Sequence, residues 1–189
     1  VVFAERDESS GIRVLERMAK REMREVPQFQ SVLKQVKPQL EYDDIFARKM
    51  KGRKVVLGYI FSSDDPQLAP RKGILPAPIF TAESLSGRLI STTSWNGYTA
   101  NLEVLQQNAV SAGHFNSHTD EDGIVRRVPM LAEYNGNYYE PLSMAMVRAR
   151  LGGPPVKATP PDKGLAPEGY RDLEWIEVGS LKIPVDDAA

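Results

Sequence analysis

The chain has 189 residues, of which 41% are apolar and 26% charged, and its formal net charge is −1. This composition is ordinary for a folded domain, and the near-neutral charge gives no broad attraction to nucleic acid or anionic lipid. The absence of cysteine excludes disulfides, thiol catalysis and Cys-containing metal sites. The longest apolar runs, such as residues 55–60, are far shorter than the roughly 20 residues that cross a bilayer.

The first part of the chain predicts helices followed by a buried strand. Residues 11–25 and 28–37 carry apolar side chains at three- and four-residue steps, and the second helix is expected to end before Pro38. A short third helix ends near Met50. The β-branched apolar run at residues 55–60 then predicts a central strand that is buried on both faces.

A hairpin is predicted around the Asp122-Gly123 turn. Asp-Gly between two β-rich segments favours chain reversal, because Gly reaches positive φ without strain and Asp tolerates it. We therefore expect residues 112–116 and 124–131 to pair across this turn.

The rest of the second half continues the α/β pattern. The elements expected there are a helix over residues 101–108, a tight turn over residues 134–139, a helix over residues 142–151 and a closing hairpin over residues 175–185. Proline-rich residues 62–99 and 154–169 predict surface connections, with one short strand near residues 89–90. Together these patterns predict an α/β domain with a central mixed sheet flanked by helices and antiparallel hairpins in the C-terminal half.

Histidines and carboxylates near the predicted hairpin allow an enzymatic hypothesis. The residues concerned are His114, His118, Asp120 and Asp122. Histidines four residues apart converge on a metal when they share a helix, whereas along a strand they are separated by roughly 13 Å. Ser117, His118 and Asp120 have the residue types of a hydrolytic triad, but near neighbours on one loop rarely converge. A small metal-dependent or acid–base enzyme is the alternative hypothesis, and no cofactor is predicted.

The same region is the candidate ligand-binding site. Recognition groups concentrate on loops that a rigid scaffold holds, and this is the densest mixed-charge loop between predicted strands. The candidate residues are Asn116, Asp120, Asp122, Arg126 and Arg127. Adjacent arginines on a strand face opposite sides, so one can point to solvent while the other pairs with a buried carboxylate or binds an anionic ligand. The competing interpretation is that these groups only satisfy the turn and its neighbouring backbone.

At these residues the sequence resembles a known family. Residues 112–116, the Asp120-x-Asp122-Gly123 turn and residues 124–129 are similar to the signature of the CHASE domain of the second type. That family is an extracellular or periplasmic sensory module of bacterial transmembrane receptors. The similarity extends to residues 1–7, 43–58, 75–78, 141–145 and 183–186.

The resemblance implies a non-catalytic sensor outside the cytoplasmic membrane that signals through membrane helices. In such receptors the output is an adenylate or guanylate cyclase, a histidine kinase, a Ser/Thr kinase or a diguanylate cyclase. We expect residues 1–189 to be one sensory domain, cut from its N-terminal strand and membrane anchor and from C-terminal transmembrane helices. The expected partners are an unknown small-molecule or protein signal, the membrane through those helices and, as a possible homodimer, a second copy. Nucleic acid is not an expected partner.

Overall fold

The computed structural model describes residues 1–65, 67–85, 90, 92–159 and 173–185. The helices are α1 (Ile12–Lys20), α2 (Pro27–Leu40), α3 (Tyr42–Met50), α4 (Glu103–Gln106) and α5 (Leu142–Arg150), with one short 3-10 turn at Glu83–Leu85. The strands are β1 (Val56–Ser62), β2 (Arg71–Lys72), β3 (Phe80–Thr81), β4 (Thr93–Ser94), β5 (Gly97–Thr99), β6 (Ser111–His114), β7 (His118–Thr119), β8 (Val125–Arg127), β9 (Ala132–Tyr134), β10 (Asn137–Tyr139), β11 (Val156–Thr159), β12 (Trp175–Val178) and β13 (Leu181–Pro184).

The first sheet is mixed and has the strand order β2-β5-β1-β6. Strand β1 pairs antiparallel with β5 and parallel with β6, so the prediction of a central strand is confirmed. Its burial alternates, however. Leu57, Tyr59 and Phe61 are buried, whereas Ile60 is 39% exposed. The prediction of burial on both faces is therefore wrong at Ile60, because helix α5 covers only part of that face of β1.

Two further sheets contain the antiparallel hairpins of the C-terminal half. One has the order β3-β10-β9-β4, and its β9–β10 hairpin turns at Asn135 and Gly136, both with positive φ. The other is the antiparallel meander β11-β12-β13. These hairpins and the mixed first sheet, together with the helices, confirm the predicted α/β class.

Buried side chains form two clusters that the sheets separate. The first lies among α3, α4 and the first two sheets, with Tyr59, Phe61 and Tyr134 among its largest members. The second contains Leu131, Tyr138, Met144, Leu173, Ile176 and Val178. Helix α5 packs on β1 and β6 and places Met144 in the second cluster.

The strand pairing predicted across the Asp-Gly turn is wrong. Residues 111–114 form β6, which pairs in parallel with β1, and the hairpin is instead closed by β7 and β8. Burial explains the choice, since Ala112, Gly113 and His114 are buried whereas every residue of β8 is exposed. A turn signal specifies local chain reversal, but a buried strand pairs where its side chains can leave water.

Segments predicted as connections contribute short strands. Residues 62–99 supply β2, β3, β4 and β5, and residues 156–159 form β11 against β12. Backbone pairing with longer strands stabilises them despite their turn-rich composition. The short strand predicted near residues 89–90 depends on residue 89, which lies outside the described residues, as do residues 160–169 of the second connection.

The helix boundaries also differ from those expected. Helix α2 continues to Leu40 with Pro38 inside it, although it was expected to end at residue 37. Pro38 lies in the last turn, where its missing N–H costs only one hydrogen bond and the helix has two residues left to run. Helices α1 and α4 are shorter than the predicted 11–25 and 101–108, whereas α5 matches its prediction within one residue.

Helix α5 approaches the first sheet at Gly113 without an intervening side chain. A Cβ atom on Gly113 would lie 2.5 Å from Leu142 Cα and 2.6 Å from Leu142 N. A glycine inside a strand commonly marks such a close backbone approach. Its register partner Gly58 is less confined, because a Cβ there would meet the Phe115 ring at 3.0 Å. The start of α5 is therefore held against β6 by backbone contact.

We predict that Gly113→Ala destabilises the fold much more than Gly58→Ala. The new methyl group at Gly113 meets backbone that cannot move alone, which should cost about 3 kcal/mol. Gly58→Ala displaces the half-exposed Phe115 ring and restricts the unfolded chain, so its net cost should be about 1 kcal/mol or less. Urea unfolding of both variants measures the difference, and equal costs would contradict the close contact.

Candidate functional site

The Asp-Gly hairpin is an ion-paired cluster on the surface. Arg126 donates to Asp122 at 2.7 and 2.9 Å and to Asp120 at 2.9 Å. The turn itself is closed by the Ile124 amide, which donates to Asp122 Oδ1, and by Gly123 at φ 80°. The hydrogen bonds from Arg126 lower the pKa of Asp122, and the same contact raises the pKa of Arg126. These groups hold the hairpin together.

The predicted ligand residues are only partly brought together. Arg127 lies at the same cluster, 3.9 Å from Asp120, with a side chain that is 61% exposed. Asn116 is buried elsewhere: its amide accepts from Phe61 N at 2.9 Å and donates to Phe61 O at 2.8 Å. The structure thus gathers Asp120, Asp122 and the two arginines, and gives Asn116 a bonding role at β1. Ligand binding by the five residues stays a prediction.

The residues of the enzymatic hypothesis are divided between the core and the surface. His114 is fully buried, and its ring lies 6.0 Å from that of Phe61. His118 lies on β7, where its Nε2 is 3.3 Å from Thr93 Oγ1, while Asp120 and Asp122 pair with Arg126. Within the described ranges there is no group of three or more His, Asp or Glu side chains placed to hold a metal ion.

A buried carboxylate that the sequence analysis missed lies at the start of α5. Glu140 Oε1 receives hydrogen bonds from Arg148 Nη1 at 2.5 Å and from Ser111 Oγ at 3.4 Å. The Glu140 side chain is 4% exposed and that of Arg148 is 21% exposed. Burial raises the pKa of Glu140 to about 6, because the ion pair with Arg148 and the Ser111 hydrogen bond offset the loss of hydration only in part.

Glu140 faces a cleft of about 420 Å³, which we call the Glu140 cleft. Its walls come from residues 75–79, the end of α4, the start of β6, α5 and the start of β11. Glu140 Oε2 and Gln106 Oε1 are buried and have no hydrogen-bond partner among the residues that the structure describes. A cleft of this size with a few convergent polar groups has the usual form of a small-molecule site.

One sequence signal could have indicated this cleft. Glu140 stands between the strand residues Tyr138 and Tyr139 and an apolar helix start, where a charged residue is rarely buried unless it is paired. Its partners Arg148 and Ser111 lie on separate elements, and Gln106 is contributed by α4. Because the cleft is assembled from residues 75–79, 106–111, 140–148 and 155–156, no local pattern in the sequence could show its composition.

The comparison with family models gives one match: the CHASE2 domain model covers residues 1–189, the whole chain. The chain belongs to the CHASE2 domain family. This confirms the resemblance stated above, and CHASE2 domains are extracytoplasmic sensory modules. No curated protein and no solved structure matches this CHASE2 chain. None of the helices in its described ranges has the length and apolar character of a bilayer-spanning segment.

We predict that His114 makes the CHASE2 fold sensitive to mild acid. Burial lowers its pKa from 6.5 to about 4, so between these values the unfolded chain takes up a proton that the folded chain does not. Stability is therefore retained above pH 6.5 and lost as the pH falls toward 4. Relative to His114→Leu, the wild-type chain should lose on the order of 3 kcal/mol of unfolding free energy across this window.

The chain has only two histidines, so His118→Gln is the matched control. It should keep the wild-type acid dependence, whereas His114→Leu should remove the His114 contribution and leave the opposite one of Glu140, whose raised pKa of about 6 stabilises the folded state as the pH falls. Urea midpoints measured at a series of pH values give the comparison. Identical pH dependence in the wild type and in His114→Leu would contradict the burial of a neutral His114 imidazole.

Proposed function

We propose that this chain is the sensor of a bacterial transmembrane receptor with a cytoplasmic cyclase or kinase output. The candidate outputs are an adenylate or guanylate cyclase, a histidine kinase, a Ser/Thr kinase or a diguanylate cyclase. The observation that carries the proposal is the CHASE2 match over all 189 residues. In this proposal residues 1–189 are one sensory domain, placed in the periplasm or outside the cell and anchored by flanking membrane helices.

Sensing requires two conformations of the domain that the signal binds unequally, because equal affinity shifts no population. Helix α5 is suited to link a binding event to the rest of the domain. Its start contacts β6 at Gly113, its Met144 enters the second buried cluster, and its Arg148 faces the Glu140 cleft. A small shift of α5 would therefore alter its contact with β6, the second buried cluster and the Glu140 cleft.

The Asp-Gly hairpin is retained as a second candidate recognition surface. Asp120 and Asp122 are occupied by Arg126, whereas the Arg127 guanidinium projects from the same cluster with 61% of its side chain exposed. A guanidinium in that position can pair with an anionic group of a ligand or of a second copy of the chain. The specific observation that favours this surface is the exposure of Arg127 beside a rigid, ion-paired turn.

Cysteine labelling of the full-length receptor in intact spheroplasts tests the proposed placement. The 189 residues contain no cysteine, so single substitutions provide clean reporters within this domain. Val32→Cys on α2, where Val32 is 56% exposed, should react with a membrane-impermeant maleimide without permeabilisation. Ala47→Cys on α3 is the matched control, since Ala47 is 2% exposed and should react only after unfolding. Labelling of Val32→Cys only after the membrane is opened would place the domain in the cytoplasm and refute the proposal.

A further inference from the structure

Only one oxygen of the Glu140 carboxylate, Oε1, receives hydrogen bonds from the described residues. Arg148 and Ser111 both bond to Oε1, and Arg148 also donates from Nε to Pro154 O at 3.1 Å. Oε2 is buried at the cleft and has no partner in the described part of the chain. A buried charged acceptor without a hydrogen-bond donor is unfavourable, so a donor supplied by a ligand would stabilise this oxygen. Arg148 acts as a positioning residue that fixes the orientation of the carboxylate.

A second buried acceptor lines the same cleft. Gln106 is the last residue of α4, and its Oε1 is likewise unpaired among the described residues. Glu140 Oε2 and Gln106 Oε1 both lack a hydrogen-bond donor within that part of the chain, and the first of them belongs to a carboxylate. A positively charged group with several donors is chemically suited to such acceptors, and an ammonium group has three donors and no acceptor.

The other side chains that line the cleft limit which chemical groups a ligand can carry besides its donor group. Leu75, Pro76, Pro78, Ala109 and Val156 present aliphatic surface to the cleft. No aromatic side chain is among the described residues that line it, so the cleft lacks a ring on which a sugar or a nucleobase could stack. A volume of about 420 Å³ accommodates a small molecule with a short aliphatic chain.

We infer that the Glu140 cleft binds a small aliphatic amine, whose ammonium group donates to Glu140 Oε2 and Gln106 Oε1 while its chain lies against residues 75–79. The inference deepens the proposed sensor role, on which it rests, by naming the chemical class of the signal. The raised pKa of Glu140, about 6, supports it, because the charge of this carboxylate is incompletely compensated by the protein's own groups.

Titration of the isotope-labelled 189-residue chain with n-butylammonium, followed by amide NMR above neutral pH, tests the inference. We expect chemical-shift changes at the Gln106 side-chain amide, at Ser111 and at the amides of Leu75, Ala77 and Ile79. The neutral isostere 1-butanol should bind about tenfold more weakly, since it offers one donor and no charge. Glu140→Gln removes the charge at nearly constant volume and should weaken n-butylammonium binding by about tenfold.

Two further variants serve as controls. Gln106→Leu leaves the ion pair intact and should also weaken binding, so it replaces Glu140→Gln if that variant fails to fold. Arg126→Ala removes the ion pairs of the hairpin and should leave binding unchanged. Shift changes confined to residues 118–127, equal binding of 1-butanol, unchanged affinity in a folded Glu140→Gln or Gln106→Leu variant, or no binding of n-butylammonium would each overturn the inference. None of these outcomes bears on the cysteine-labelling result, so the two proposals can fail separately.

Discussion

The contact of the α5 backbone with Gly113 is the constraint on which the site depends. Because no side chain separates Gly113 from Leu142, the helix start lies directly on β6, and the His114 amide donates to Glu140 O at 3.1 Å. This fixes Glu140 at the edge of the sheet. Arg148 lies two turns further along and returns to the same side of the helix, so it reaches the Glu140 carboxylate. One steric feature of the strand thus places an ion pair at the cleft.

Two buried side-chain amides, those of Asn101 and Asn116, make hydrogen bonds to the backbone of β1. Asn101 accepts from Phe3 N and donates to Gly58 O, and Asn116 makes the equivalent pair of bonds to Phe61. Each amide replaces ladder hydrogen bonds where a neighbouring strand ends. The hairpin carboxylates are similarly occupied by Arg126. Two buried acceptors that are unpaired within the described residues line the Glu140 cleft, which is why we propose ligand recognition there.

Local signals in the sequence predicted the elements whose causes are local. The β-branched run that became β1, the helix that became α5 and the tight turn at Asn135-Gly136 all formed as expected. Partner choice was not predictable in the same way, and β6 was assigned to the wrong strand because burial against a distant element selected its position. The cleft was not predicted for a related reason. The densest charged segment of the chain was taken as the candidate site, but its charged groups pair with one another. The cleft instead forms from residues far apart in sequence.

The seating of α5 on β6 is tested most directly by native-state hydrogen exchange at the His114 amide, which donates to Glu140 O. If the contact at Gly113 holds the helix as described, this amide opens only when the whole domain unfolds. Its exchange free energy should then equal the global unfolding free energy from urea titration. Exchange at the rate of exposed amides such as those of β8, with the domain still folded, would show that α5 leaves the sheet independently and would contradict the account.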